Sequence, residues 1–187
     1  MRTPERKLTQ VGERSVLVLR RFDRSAAGDR IGYISAMTAT ESTDVAQAVR
    51  DLSATPRADL HDLYDRVVAS VALGNTDDHL RNHGFLASRG AWTLSPAFDV
   101  NPTRVPQRRR STSIMGADAP PDEVDGLLAL AASCSLSLEG ARQRIAAVAS
   151  ALAGWRDVAR GHQVAEREIR LMAESIEPRL EAVRGAV

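Results

Sequence analysis

LHDLYDRVVASVALGNTDDHLRNHGFLASRGAWTLSPAFD, running from Leu60 to Asp99, holds three kinds of segment in succession. The first carries Leu60, Leu63, Tyr64, Val67, Val68, Val71 and Ala72 at i, i+3, i+4, i+7 spacing, which predicts a helix with one apolar stripe against a core. Gly74 is a natural stop for it, since a residue without Cβ enters the left-handed conformation that ends helices. The middle segment, Asn75 to His83, is dense in ionisable and amide side chains. In the third, Gly84-Phe85-Leu86 and Trp92-Thr93-Leu94 flank Ser88-Arg89-Gly90, the pattern of a β-hairpin. Ser95 to Asn101 then forms a second loop, where Pro96 and Pro102 limit any helix.

Upstream of this stretch, Val16 to Leu19 is a short β-rich apolar run that leads into a connector, and Ser25 to Gly32 is small and polar, hence a loop. Ser42-Thr43-Asp44 supplies N-cap residue types before Val45, Ala46, Val49 and Leu52, a helix expected to stop before Pro56. Downstream, Arg104 to Pro121 is irregular and holds Arg108-Arg109-Arg110 beside Ser111, Thr112 and Ser113. From Asp122 the pattern is helical over roughly Asp122 to Cys134, Ser137 to Leu152, Trp155 to Gly161 and Val164 to Val183, with Pro178 as a boundary. The expected fold is one mainly helical α+β domain over residues 1–187, its helical part at 122–183, with short strands around the polar loops.

The 43% hydrophobic and 26% charged fractions are those of a chain that buries a core. A formal charge of +1 gives no electrostatic ground for binding nucleic acid or membrane. Lys7 is the only lysine, so the positive charge is almost entirely arginine, either a coding bias or a preference for bidentate contacts. The single Cys134, inside the apolar run Leu127 to Leu138, excludes an internal disulfide and reads as a small buried thiol. Met1 to Gln10 has no apolar h-region, and no apolar run approaches the ~20 residues of a membrane span. A cytoplasmic protein is expected.

Phosphoryl transfer from ATP calls for a carboxylate that takes up or orients the attacking hydroxyl, and for oxygen ligands that hold magnesium. Protein kinases place the base Asp five residues before a metal-binding Asn, with a second metal-binding Asp beyond a hairpin. Asp77 lies five residues before Asn82, and Asp99 follows the hairpin. Thr76, Asp78 and His79 share the first loop, and Phe98 stands before Asp99 as an aromatic does in the kinase signature. Asp, Asn and Thr also gather in loops simply to cap and turn the chain. His83 reads as a hydrogen-bonding histidine. Four histidines and one cysteine have no zinc-ligand spacing.

Asn75-Thr76-Asp77-Asp78-His79-Leu80-Arg81-Asn82-His83-Gly84-Phe85-Leu86, with Leu94-Ser95-Pro96-Ala97-Phe98-Asp99-Val100-Asn101-Pro102, closely resembles the C-terminal lobe of HipA-type serine/threonine kinases, the toxins of bacterial HipA/HipB toxin–antitoxin systems. Leu19-Arg20-Arg21-Phe22-Asp23-Arg24 resembles the family's hinge, although Arg20 stands where an acidic residue is expected. The resemblance implies a protein-kinase-like C-lobe with Asp77 as catalytic base, and Asn82 and Asp99 as ligands of Mg2+. It also implies that His79, Leu80, Arg81, Asn82, Phe98 and Asp99 line the ATP, and that Arg20, Arg21 and Phe22 supply the hinge. A core strand with exposed arginines is the rival reading of Val16 to Phe22.

Kinases also cradle phosphates with a Gly-rich loop and a lysine. Neither GxGxxG nor GK[ST] occurs here, and Lys7 lies too near the hinge to serve. The nucleotide lobe is therefore expected on another part of a longer protein or on another chain, unless the chain is a degenerate relative that lacks it. The implied partners are a protein substrate and a HipB-like antitoxin, with no direct nucleic-acid contact. Two rivals stand beside this: an inactive kinase-fold module that binds a partner, and a small-molecule kinase. The arginine run 108–110 reads either as a solvated loop or as a phosphate-neutralising, activation-type segment.

Overall fold

The computed structural model describes residues 1–12, 14–39, 44–88, 90–105 and 108–187. Ser42 and Thr43 of the expected cap, and Arg89 of the expected hairpin turn, lie outside these residues. Helix α3 (Pro56–Leu73) is the structural axis, with Pro56 at its start and Gly74 at φ 69° closing it. A Cβ on Gly74 would meet Arg179 at 3.1 Å and Ser175 at 3.2 Å, so this position is tight as well as left-handed.

Around α3 pack α2 (Val45–Leu52), α4 (Glu123–Ser133), α5 (Leu138–Leu152) and α7 (Glu166–Arg184). The predicted stripe is largely the core: Leu60, Leu63, Tyr64, Val68, Val71 and Ala72 are buried with Leu127, Ala131, Ile145, Leu180 and Val183. Each fully buried Leu, Val or Ile stabilises by about 1.5–3 kcal/mol. Tyr64 is wholly buried and its hydroxyl donates to the Leu127 carbonyl at 3.1 Å. The short α1 (Ala36–Ala39) and α6 (Trp155–Gly161) complete the helices, and the Trp155 indole donates to Glu177 on α7 at 2.9 Å.

Asp44 caps α2, accepting from the Gln47 amide at 3.0 Å, and Ser137 caps α5, accepting from Gly140 at 3.1 Å. Pro178 is not a boundary, because α7 runs through it. An interior proline costs about 3 kcal/mol, and α7 offsets this by burying Ile169, Ala173, Ile176, Leu180 and Val183 along one face.

The strands form two small antiparallel sheets. β4 (Gly84–Ser88) pairs with β5 (Ala91–Leu94) as predicted, and β3 (Tyr33–Ser35), absent from the sequence reading, joins the other edge of β4. A Cβ on Gly84 would fall 2.3 Å from the Tyr33 ring, so a larger residue there would displace the ring from its place across the strand. β1 (Arg6–Val11) and β2 (Arg14–Leu19) form a separate hairpin, with Lys7 opposite Val18. The run Val16 to Leu19 is therefore a strand but not a core strand, since all six residues of β2 are exposed. β1 was missed because its residues are mostly polar, and only pairing with β2 makes them a strand.

Cys134 is buried in the core, and burial pushes its thiol up to about 12. It is expected to resist iodoacetamide in the native protein and to react stoichiometrically in denaturant, as mass spectrometry can check.

Candidate active site

Beyond Gly74 the chain doubles back onto α3. The Asn75 amide donates to the Ser70 carbonyl at 2.8 Å, while the Ser70 hydroxyl lies 3.1 Å from the Asn75 carbonyl and 3.0 Å from Asp78 Oδ2. Asp78 is buried and also takes His83 Nε2 at 3.0 Å and Arg110 Nη2 at 3.2 Å. Burial raises its carboxyl pKa, but the His83 hydrogen bond and the charges of His83 and Arg110 outweigh this and hold it below the ordinary value. Asp78, grouped by sequence with the chemistry-bearing residues, is thus the buried anchor of the loop, and His83 is its hydrogen-bond partner.

The network continues inward. Arg110 Nη1 reaches Glu123 Oε1 at 3.3 Å, and Arg179 Nη1 reaches Glu123 Oε2 at 2.5 Å. All of these groups are buried. Arg110 therefore does not belong to a solvated loop. Its neighbour Arg109 is exposed and pairs with Asp118 at 2.9 Å. Nothing in the sequence pairs Arg110 with Glu123, and only the basic run itself marks the segment.

Asp77, next to the anchor, is exposed. Its carboxylate accepts from the Ser111 hydroxyl at 3.1 Å, and its main-chain carbonyl accepts from Asn82 Nδ2 at 3.0 Å. Asn82 is buried in a 3-10 turn, Leu80–Asn82, so the spacing of five folds its amide back over Asp77. With the nitrogen so engaged, the carboxamide oxygen is the end left for another partner. His79 precedes the turn and its buried Nδ1 has no hydrogen-bond partner among the described residues.

The loop that carries Asp99 is anchored to the loop that carries Asp77 and Asn82. Phe85 pairs with Leu94, and the Ser95 amide donates to the Gly84 carbonyl at 2.8 Å, so both loops leave the same end of the β4–β5 hairpin. The Thr103 amide donates to the Gly74 carbonyl at 2.9 Å. The 95–103 loop is thus pinned at both ends to the two ends of the 74–84 loop. Arg66, on α3, secures the first of these pins: it pairs with Asp62 at 2.6 Å and donates to the Ser95 carbonyl. Asp99 is exposed at φ 57°, and Asn101 Nδ2 donates to its Oδ1 at 2.7 Å. A non-glycine residue held left-handed stores strain of about 1–3 kcal/mol and is enriched at functional sites.

Of the residues expected to line nucleotide, Asn82 and Asp99 border neither of two separate cavities that the others line. Leu19, Arg20, Arg21, Phe22, Tyr33 and Phe98 line a cavity of about 350 Å³, with the Phe22 and Phe98 rings 5.5 Å apart. His79, Leu80 and Arg81 instead border a cleft of about 450 Å³ with Ser111, Thr112 and Ser113. The hydroxyl-bearing side of that cleft, above all Ser111 on Asp77, was not assigned from sequence.

A long buried helix that delivers a polar loop, a hairpin, and a second acidic loop pinned to the first define the C-terminal lobe of a kinase-like fold. The chain belongs to the HipA-like C-terminal domain family, whose model matches residues 1–156. Among solved structures it is similar to a chain of the Shewanella oneidensis MR-1 toxin–antitoxin complex of HipA, HipB and operator DNA, at 16% identity and a TM-score of 0.74. The match covers 99% of this chain and 52% of that one, so this chain spans about half the length of its structural relative. No curated protein sequence matches it. Among the described residues no helix is long and apolar enough to cross a membrane.

Proposed function

We propose that this chain is the catalytic half of a HipA-type serine/threonine protein kinase that transfers the γ-phosphoryl group of ATP to a protein hydroxyl. The observation that supports it most is the tether of Asn82 to Asp77, beside a loop that holds Asp99 by pins at both ends. Asp77 accepts the proton of the attacking hydroxyl as the new O–P bond forms, and the bond from the γ-phosphorus to ADP breaks.

The oxygens present suit magnesium, which favours carboxylate and carboxamide ligands. Asn82 offers its amide oxygen and Asp99 its carboxylate. Bound there, magnesium would neutralise phosphate charge. The main chain of Arg20 to Phe22, with the Phe98 ring, meets the adenine in the cavity they line, and His79 to Arg81 line the nucleotide from the neighbouring cleft. In the full-length protein, Asp99→Ala is expected to weaken magnesium-dependent ATP binding at least about ten-fold, or 1.4 kcal/mol. Metal-free binding should not change. Equal calorimetric losses with and without magnesium would remove Asp99 from its assigned role.

The phosphate-gripping loop and lysine then belong to the other half of the kinase, and a HipB-like protein is the expected partner of a cytoplasmic toxin. A second reading, a partner-binding module without activity, is favoured by the exposed Val16, Leu17, Val18 and Leu19 of β2. ³²P incorporation into protein would set that reading aside, and incorporation into a metabolite would point to a small-molecule kinase.

A further inference from the structure

The geometry points to Ser111 as the positioning residue of Asp77, and this rests on the reading of Asp77 as catalytic base. The Ser111 hydroxyl donates to Asp77 Oδ1 at 3.1 Å, and the Ser111 amide donates to the Thr76 carbonyl at 2.8 Å. One residue therefore grips both the base and the residue before it. Ser111 is held in turn by its neighbour. The Arg110 amide donates to the Asp118 carbonyl at 2.7 Å, and the buried Arg110 guanidinium is clamped between Asp78 and Glu123.

The exposed carboxylate of Asp77 would otherwise turn about its side-chain bonds. Its other tether, from Asn82, holds only the main-chain carbonyl. A hydroxyl on a main chain pinned to Thr76 selects one orientation: Oδ1 is occupied, and Oδ2 is left for the acceptor proton. The alternative, that Ser111 is itself the phosphoryl acceptor, is less consistent with a backbone pinned on both sides of the hydroxyl.

The test uses the full-length protein and compares Ser111→Ala, Ser111→Thr, Asp77→Asn and the Ser111→Ala/Asp77→Asn pair. The value of one hydrogen bond to a charged group predicts that Ser111→Ala lowers kcat about 10- to 100-fold. The KM for ATP and the unfolding midpoint should hold, and Ser111→Thr should restore most of kcat. On the Asp77→Asn background, Ser111→Ala should add no further loss, because the residue acts through Asp77. A kcat for Ser111→Ala within two-fold of wild type, with Asp77→Asn inactive, would overturn this inference and leave the base in place. Full activity of Asp77→Asn would overturn both. Phosphate found by mass spectrometry on Ser111 after incubation with Mg-ATP would make it an acceptor and end the positioning role.

Discussion

Asp77→Asn in the full-length protein is expected to lower phosphoryl transfer by about 10²- to 10⁴-fold, the usual contribution of a positioned general base. Asparagine keeps the size of the side chain and can still accept from Ser111, but it cannot take up a proton. Asp77 is exposed, and among the described residues the one hydrogen bond to its side chain comes from Ser111, itself exposed. The unfolding free energy should therefore stay within about 0.5 kcal/mol of wild type. Asp78→Asn should instead lower stability, and lower transfer through the loop it anchors, because Asp78 is buried among Ser70, His83 and Arg110. Initial rates of ³²P transfer, with chemical denaturation of each variant, separate the two. A variant at Asp77 that is inactive because it has unfolded would count against the assignment.

Glu123→Ala is expected to be the most destabilising single change in the domain. Glu123 is buried and bonds Arg110 through one oxygen and Arg179 through the other. Its loss leaves two guanidinium groups without their shared buried counter-charge. Breaking a buried ion pair by removing one partner costs about 3–5 kcal/mol. For a chain of this length each kcal/mol lowers the unfolding midpoint by roughly 2–4 °C. Calorimetry should therefore show a fall of roughly 6–20 °C. A loss below about 1 kcal/mol would mean that the cluster is not what joins α3, α4 and α7 to the polar loop. Glu123→Gln should fall between the two, since an amide oxygen can still accept from one arginine.

Features that depend on near neighbours were legible along the chain. The i, i+3, i+4, i+7 stripe set α3, Gly74 ended it, and the two short apolar segments flanking Ser88-Arg89-Gly90 set the β4–β5 hairpin. The five-residue spacing from Asp77 to Asn82 is one 3-10 turn plus its entry, so that juxtaposition could also be read directly. These rest on dihedral preference and periodicity, which act over a few residues.

The tertiary structure alone decided which of two adjacent aspartates faces solvent. Asp77 and Asp78 are the same residue type, and only the burial of Asp78 against Ser70, Arg110 and His83 separates anchor from candidate base. It also turned one arginine of the 108–110 run inward, carried Ser111 to Asp77, exposed β2, and kept α7 helical through Pro178. Each of these depends on groups far apart along the chain. The energy of a buried ion pair or an apolar face is set by where the chain returns in space, and local pattern holds no record of that return.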